Sequence, residues 1–420
     1  MFRAIDKWLF GYVESVMRRP GKADGPVHLM FCVADHFEPF HDNPGKDAAL
    51  AKIRRWRSEY PAAAAGHKDA DGRHPQHTFF YPQEEYDGDC IGELSGLCAN
   101  GFGEVEIHLH HRNDTAEGLR EKLSGFRDVL REKHGLLGSD CDGNVRYGFI
   151  HGNWALCNSR PDGDWCGVNE ELGVLNQTGC YADFTFPSAP SPTQPRTVNA
   201  IYRAEDTPGR PRGCDSGERV RVWPRTTGSD YGKRPWEADS GNATKGHAKE
   251  RDESGRRFGN LSSIAPGQSR TGLATEDRNS AFGNELMLIT GPLALDWRRR
   301  KWGVLPRLEN GAITSVNPPT PERIDLWVRQ YIHVQGRPEW MFVKVHTHGC
   351  RNEDVFLGES MNRAHDYLGS VYNDGKSWVL HYVTAREMYN IARAAEDGKT
   401  GNPGQYRDYE VLRPPILVTA

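Results

Sequence analysis

Two histidine pairs, His108-Leu109-His110 and His346-Thr347-His348, each close a run that reads as a buried β-strand. A third such run, Val27 to Ala34, ends in Asp35-His36. Residues i and i+2 of a strand point to the same side, so each His-x-His aims two imidazoles one way. They sit at the strand ends, where α/β enzymes gather their chemistry. Neutral imidazoles with one carboxylate suit a divalent ion such as zinc, and three protein ligands leave a fourth position open for water. One pair alone reads equally well as polar punctuation of a strand. Three strand ends of this kind in one chain favour a metal site.

The elements that must position these residues alternate. After an N-terminal helix with Phe2, Ile5, Trp8, Leu9, Tyr12, Val13 and Val16 at helical spacing, Pro20 to Pro26 links into the first strand. A helix is expected over Asp47 to Tyr60 and a strand over Thr78 to Tyr81, stopped by Pro82. The strand Glu104 to His108 carries the first histidine pair. Asn113-Asp114-Thr115 then reads as a helix N-cap region, with Leu119, Leu123, Phe126 and Leu130 at helical spacing. The strand Arg146 to Ile150 runs into His151-Gly152-Asn153-Trp154, and a helix over Asn169 to Gln177 leads to a strand at Cys180 to Thr185. In the last third, Pro321 opens a helix, Trp340 to Val345 delivers the second histidine pair, and helices are expected over Glu359 to Leu368 and Ala385 to Ala394. Strands alternating with helices predict an α/β fold with a mainly parallel sheet, either a barrel or a doubly wound layer.

Residues 226–284 break the pattern: these 59 residues hold only seven large apolar side chains, too few to offset ordering by burial. They read as a disordered or irregular insertion, or as a stretch out of frame, since apolar order resumes at Leu286. The expected division is therefore 1–26 as helix and link, 27–225 and 285–420 as two parts of one α/β unit, and 226–284 as the insertion.

Composition narrows the partners. At 420 residues the chain can bury a large core, and a net charge of -4 with Lys and Arg spread along it gives no electrostatic reason to expect nucleic acid. Nine scattered cysteines without a Cys-x-x-Cys pair argue against a disulfide framework and for a reducing compartment. Asp6, Lys7 and Glu14 interrupt the N-terminal apolar face, so it is not a secretory signal, and no run has the length of a spanning helix. That helix, flanked by Arg18 and Arg19, suits packing on its own domain better than lying on a membrane. A cytoplasmic protein is expected; oligomeric state is not legible. No Walker loop, Gly-x-Ser-x-Gly elbow or dinucleotide fingerprint occurs.

In order and content these residues resemble the polysaccharide deacetylase (NodB-homology) superfamily, particularly its larger, divergent cytoplasmic branch. The segments that carry the resemblance are Val33-Ala34-Asp35-His36-Phe37-Glu38-Pro39, Glu104 to His111, Val345-His346-Thr347-His348-Gly349 and His381 to Met388, with Leu175 to Asp183 between them. The chain departs from the family pattern in three places. Asp35-His36 replaces an acidic pair, His151-Gly152-Asn153-Trp154 replaces an arginine-proline motif, and the histidines are spaced i, i+2 rather than i, i+4.

The resemblance implies an irregular seven-stranded (β/α) barrel and a zinc-dependent hydrolase that removes an acetyl group from a carbohydrate amide or ester. It implies Asp35, His108 and His110 as metal ligands, with His36 or Glu38 compensating for the second carboxylate. His348 or His346 would be the general acid. His151 and Trp154 would line the substrate site, Trp154 as a stacking platform, and Asp183 would orient a catalytic histidine. His111 suits a supporting or capping role. Two other readings stay open: a non-catalytic carbohydrate-binding barrel that retains a metal, and a His-x-His phosphoesterase or amidohydrolase, although those place the first pair on the first strand, where Asp35-His36 stands here.

Overall fold

The computed structural model describes residues 4–21, 23–223 and 285–415; the expected insertion at 226–284 lies outside them. The strand β1 (Val27–His36) is apolar almost throughout, as suits a strand covered on both faces. Along one side it pairs in parallel with β13 (Trp340–Thr347). Along the other it pairs first with β14 (Trp378–Tyr382) and then with β2 (His77–Pro82). Parallel pairing continues through β3 (Gly103–Leu109), β5 (Val145–His151), β6 (Cys180–Asp183) and β9 (Glu285–Ile289). Antiparallel β7 (Ile201–Glu205) and β8 (Glu218–Arg219) extend the sheet beyond β9. Short strands β4 (Gly138–Ser139) and β12 (Ala312–Ile313) pair with β5 and β13, and β10 (Ala294–Lys301) with β11 (Leu305–Glu309) makes a separate hairpin. The fold is mixed α/β around a large, mostly parallel sheet.

The helices are α1 (Ile5–Met17), α2 (Lys46–Ala65), α3 (Gly88–Ala99), α4 (Ala116–His134), α5 (Glu171–Gln177), α6 (Pro321–Val328), α7 (Glu353–Phe356), α8 (Glu359–Val371) and α9 (Ala385–Glu396). Local signals account for their ends. Thr115 caps α4 by accepting the Gly118 N–H, and Gly135, left-handed, ends it. Thr384 and Glu387 form a capping box on α9, whose twelve residues are all buried. On α1, Trp8 packs with Ala189, Val198 and Leu293, as expected of a helix seated on its own domain. Among the described residues no helix is long and apolar enough to cross a membrane. All nine cysteines are free. The even spread of cations has one exception missed at the level of composition: β10 gathers Arg298-Arg299-Arg300-Lys301 between Trp297 and Trp302.

Strand alternation sorts the core into two faces. Leu29, Phe31 and Val33 of β1, Val105, Ile107 and Leu109 of β3 and Val343 and Val345 of β13 pack with Ile53, Trp56, Leu94, Leu123 and Leu368 of the covering helices. Met30, Cys32 and Ala34, with Phe80, Ile150, Ala182, Met287 and Phe342, form the opposite face, which packs on Met388, Ile391 and Ala392 of α9. The period of two then decides where each polar residue at the strand ends points. Asp35, Leu109 and Thr347 belong to the helix-covered face. His36, His108 and His346 belong to the other, and the next alternate residues, Glu38, His110 and His348, continue that side beyond the strands.

Candidate metal centre

Two of the three strand ends are adjacent in the sheet and the third lies one strand away: Ala34 pairs with His346 and Asp35 with Thr347, while β2 stands between β1 and β3, its Pro82 pairing with His108. The side chains that follow meet around Glu38. Its Oε1 lies 3.2 Å from His108 Nε2 and 3.3 Å from His110 Nε2. A second triad, His36, Glu38 and His348, shares the same carboxylate, and the ligand atoms within each triad lie within 4.8 Å of one another. The His36 ring stacks on His348 at 4.7 Å between centroids and meets His108 edge-on at 4.7 Å; His346 is farther, at 6.4 Å.

The other ring nitrogens show what these imidazoles are arranged to hold. His108 Nδ1 donates to the Ile150 carbonyl at 3.0 Å, and His110 Nδ1 lies 2.5 Å from Glu84 Oε1. An imidazole whose proton sits on Nδ1 presents a lone pair at Nε2. Two such nitrogens aimed at one carboxylate oxygen call for a cation among them, a divalent ion or, without one, the proton held by His110. Fixing Nδ1 through a carbonyl or carboxylate is also how metal-ligating histidines are oriented. His36 Nδ1 is buried without a hydrogen-bond partner on the same side. The donor set of carboxylate and imidazoles fits a divalent ion such as zinc.

The electrostatics follow from burial and proximity. Burial favours the neutral form of Glu38, yet hydrogen bonds to His108 and His110 outweigh it and hold the carboxyl well below the usual carboxylate range. Burial pulls His110 down, but Glu38 and Glu84 prevail and raise it to about 10. His36 is held well below its ordinary value by burial and by His348 and His108. His348 is lowered by burial, partly offset by Glu38 and Asp35, and His346 is lowered by burial and then by Lys344. Without an ion, a protonated His110 therefore offsets the ionised Glu38 carboxylate, while His36, His346 and His348 stay neutral.

The expected ligand Asp35 does not join this group. Its side chain points to the helix-covered face, where Oδ1 accepts the Gly349 N–H at 2.5 Å and Oδ2 lies 2.8 Å from His77 Nε2. A Cβ on Gly349 would come within 2.0 Å of Oδ2, so the loop after β13 closes directly over Asp35. Glu38, three residues on, is the carboxylate that meets His108 and His110. The reason is parity: Asp35 and His36 are neighbours in a strand and cannot share a face.

Of the expected substrate residues, Trp154 stands beside the cluster, edge-on at 6.0 Å from His36 and 6.2 Å from His348 between ring centroids. Its backbone is left-handed, φ 54°, a costly conformation for a residue with a side chain and common where a loop is shaped by function. His151 faces the other way, toward His111 at 4.6 Å, and so does not line the cluster. Asp183 is also elsewhere: it accepts the Thr185 hydroxyl at 2.6 Å, and burial raises its carboxyl to about 7. Glu84 and His77 were missed. The signal for Glu84 was the acidic pair Glu84-Glu85 just past the end of β2; His77, at the start of its strand, gave none. No protein-family model matches the chain, and neither does any curated protein or solved structure.

Proposed function

We propose that this chain is a metal-dependent hydrolase that removes an acyl group, acetyl above all, from a carbohydrate amide or ester. The observation that carries the reading is Glu38 Oε1 within 3.3 Å of both His108 Nε2 and His110 Nε2, with His36 and His348 also gathered around that carboxylate. The sheet is read as closing into an irregular barrel. In support, Lys344 of β13 reaches across to donate to the Phe184 and Phe186 carbonyls at 2.6 Å each, and a Cβ on Gly291, just past β9, would lie 2.4 Å from the Lys344 carbonyl oxygen.

Glu38, His108 and His110 would hold the ion. When bound, a divalent ion supplies Lewis acidity to an acyl carbonyl and makes water a nucleophile near neutral pH. The chain's own residues do the rest. With Asp35 engaged by Gly349 and His77, the proton acceptor at the site is an imidazole. His348, buried and lowered, is neutral at pH 7 and takes the proton of the attacking water. It returns that proton to the departing nitrogen or oxygen as the acyl carbon–heteroatom bond breaks and the new C–O bond completes the acid. His346, one alternate residue back on the same side, is the second imidazole available for that transfer. Trp154 offers an aromatic face to a sugar ring.

The test is acetate release from acetylated chito-oligosaccharide and acetylated xylan by the zinc-loaded full chain. Release that disappears in His108→Ala/His110→Ala supports the reading. Zinc-loaded protein that releases no acetate refutes it: binding of the oligosaccharide would then point to a carbohydrate-binding protein, and cleavage of a phosphoester to a phosphoesterase.

A further inference from the structure

We propose that His111, His151, Cys166 and Glu171 form a second, closed metal site that holds one zinc-like divalent ion in a structural role, apart from the centre around Glu38. The four residues come from four places: just past β3, the end of β5, the loop between β5 and α5, and the first residue of α5. All four are buried, and one ligand atom from each lies within 4.8 Å of the other three. His111 Nε2 is 3.1 Å and His151 Nε2 3.8 Å from Glu171 Oε1, and Cys166 Sγ is 3.3 Å from Glu171 Oε2. A tetrahedral zinc with N and O ligands at ~2.1 Å and sulfur at ~2.3 Å separates its ligand atoms by roughly 3.3–3.8 Å. The two histidine spacings to Oε1 fall just below and at the top of that range, and Cys166 approaches through Oε2.

An independent sign is that His151 Nε2 is fully buried, faces Glu171 and has no hydrogen-bond partner. Leaving such a group unpaired is unfavourable, and a ligand there removes the deficit. Charge also balances: one thiolate and one carboxylate offset a dication, with two neutral imidazoles completing a mixed N, S and O set that suits zinc. The surroundings are built as metal sites are. The Val168 N–H donates to Cys166 Sγ at 3.4 Å; without an ion the thiol in turn donates to Glu171 Oε2 and the Val168 carbonyl, and the ion would take the place of that proton. Asp114 Oδ2 lies 3.3 Å from His111 Nδ1, close to a ligating histidine though not hydrogen-bonded to it, and Lys122 Nζ donates to that oxygen at 2.6 Å. Gly167, left-handed, lets this loop meet the Asp114 backbone, since a Cβ there would come 2.6 Å from Asp114 N. Coordination through His151 Nε2 puts the ring proton on Nδ1, so the Asn153 N–H now 3.2 Å from Nδ1 must turn away. With four protein ligands no position is left for a substrate. The ion would staple the loop that carries Trp154 to the ends of β3 and β5.

The experiment loads the full chain with Co2+ on a Cys141→Ser background, which removes the exposed thiol. The Glu38 centre contains no cysteine, so a near-ultraviolet thiolate-to-cobalt absorption reports on the second site alone. The expected result is one equivalent of this absorption, retained in His108→Ala/His110→Ala and lost in Cys166→Ser, with Cys166→Ser also holding one zinc fewer per chain. A cobalt-loaded parent without the absorption overturns the proposal, and this holds even if Cys166→Ser does not fold. Equal zinc content in Cys166→Ser and the parent overturns it as well, and would mean that protons fill the cluster. Neither outcome depends on hydrolytic activity.

Discussion

Exchanging the roles expected of Asp35 and Glu38 gives the sharpest test of the site. Asp35 is fully buried, accepts the Gly349 N–H at 2.5 Å and faces His77 Nε2 at 2.8 Å. In Asp35→Asn the amide oxygen can still serve Gly349. The amide N–H groups then face His77, which must move its proton to Nδ1, a buried atom without a partner. One charge-assisted bond is weakened and one is lost, each worth ~1.5–3 kcal/mol, and a buried donor is left unpaired, so the variant should lose roughly 2–4 kcal/mol of stability. It should keep its metal. Glu38→Gln should do the opposite. Outer partners of a metal site cost roughly 10–100-fold in affinity when removed, so loss of a direct ligand should exceed about 100-fold. Zinc per chain after dialysis against a competing chelator, and urea midpoints at unchanged slope on the chelated proteins, read the two effects separately. An Asp35→Asn protein that loses its zinc while its urea midpoint stays put would refute the assignment and return the ligand role to Asp35.

Other perturbations follow from the same contacts. Glu84→Gln removes the carboxylate behind His110, so zinc affinity by chelator competition should fall roughly 10–100-fold; unchanged affinity would mean that the 2.5 Å contact does not orient the ligand. Trp154→Ala should raise KM for an oligosaccharide roughly 2–10-fold, from a stacking contribution of ~0.5–1.5 kcal/mol, with zinc content unchanged; an unaltered KM would remove the platform role. Glu106 is buried between the Tyr181 hydroxyl and the Gly148 N–H, and burial raises its carboxyl to about 8. Because the folded protein holds this proton more tightly than the unfolded chain, its contribution is complete below about pH 4.5 and is lost as pH rises through about 8. Relative to Glu106→Gln, wild-type stability by urea unfolding should fall across that window by at most ~1.4 kcal/mol per pH unit; parallel pH profiles would show that Glu106 titrates normally.

Much of the architecture was legible because periodicity and local signals agreed. The apolar run Val27–Ala34, the leucines of α4 and the Thr384/Glu387 cap each specify an element without tertiary context. The elements missed were those whose pattern is weak or shared. On α3, Gly88, Gly92 and Gly96 dilute the helical signal, and β7 and β8 are short strands held by pairing with β9 rather than by their own composition. The site was legible by residue type more than by partner. His108 and His110 stand together as their spacing demands, whereas Asp35 was placed with them by a motif's order and not by its parity. Glu84 and Glu171 come from other segments, and only the folded chain brings them to the histidines.

The same alternation explains how two histidine-rich groups stand back to back. His108 and His110 project with Glu106 on the α9 side of the sheet, with Leu109 between them on the helix-covered side. After Leu109 the chain leaves the strand, and His111 turns to that outer side, where His151 also points because Ile150 before it faces inward. The Ile150 carbonyl holds His108 Nδ1 for the inner group, and the very next side chain belongs to the outer one. Gly152 is the hinge of this arrangement: a Cβ there would strike the His110 ring at 2.3 Å, so the backbone after His151 lies flat against an inner ligand while its neighbour serves the outer cluster. A change at the β3–β5 junction should therefore disturb both groups together, whereas a change at Cys166 or at Glu38 should disturb only one.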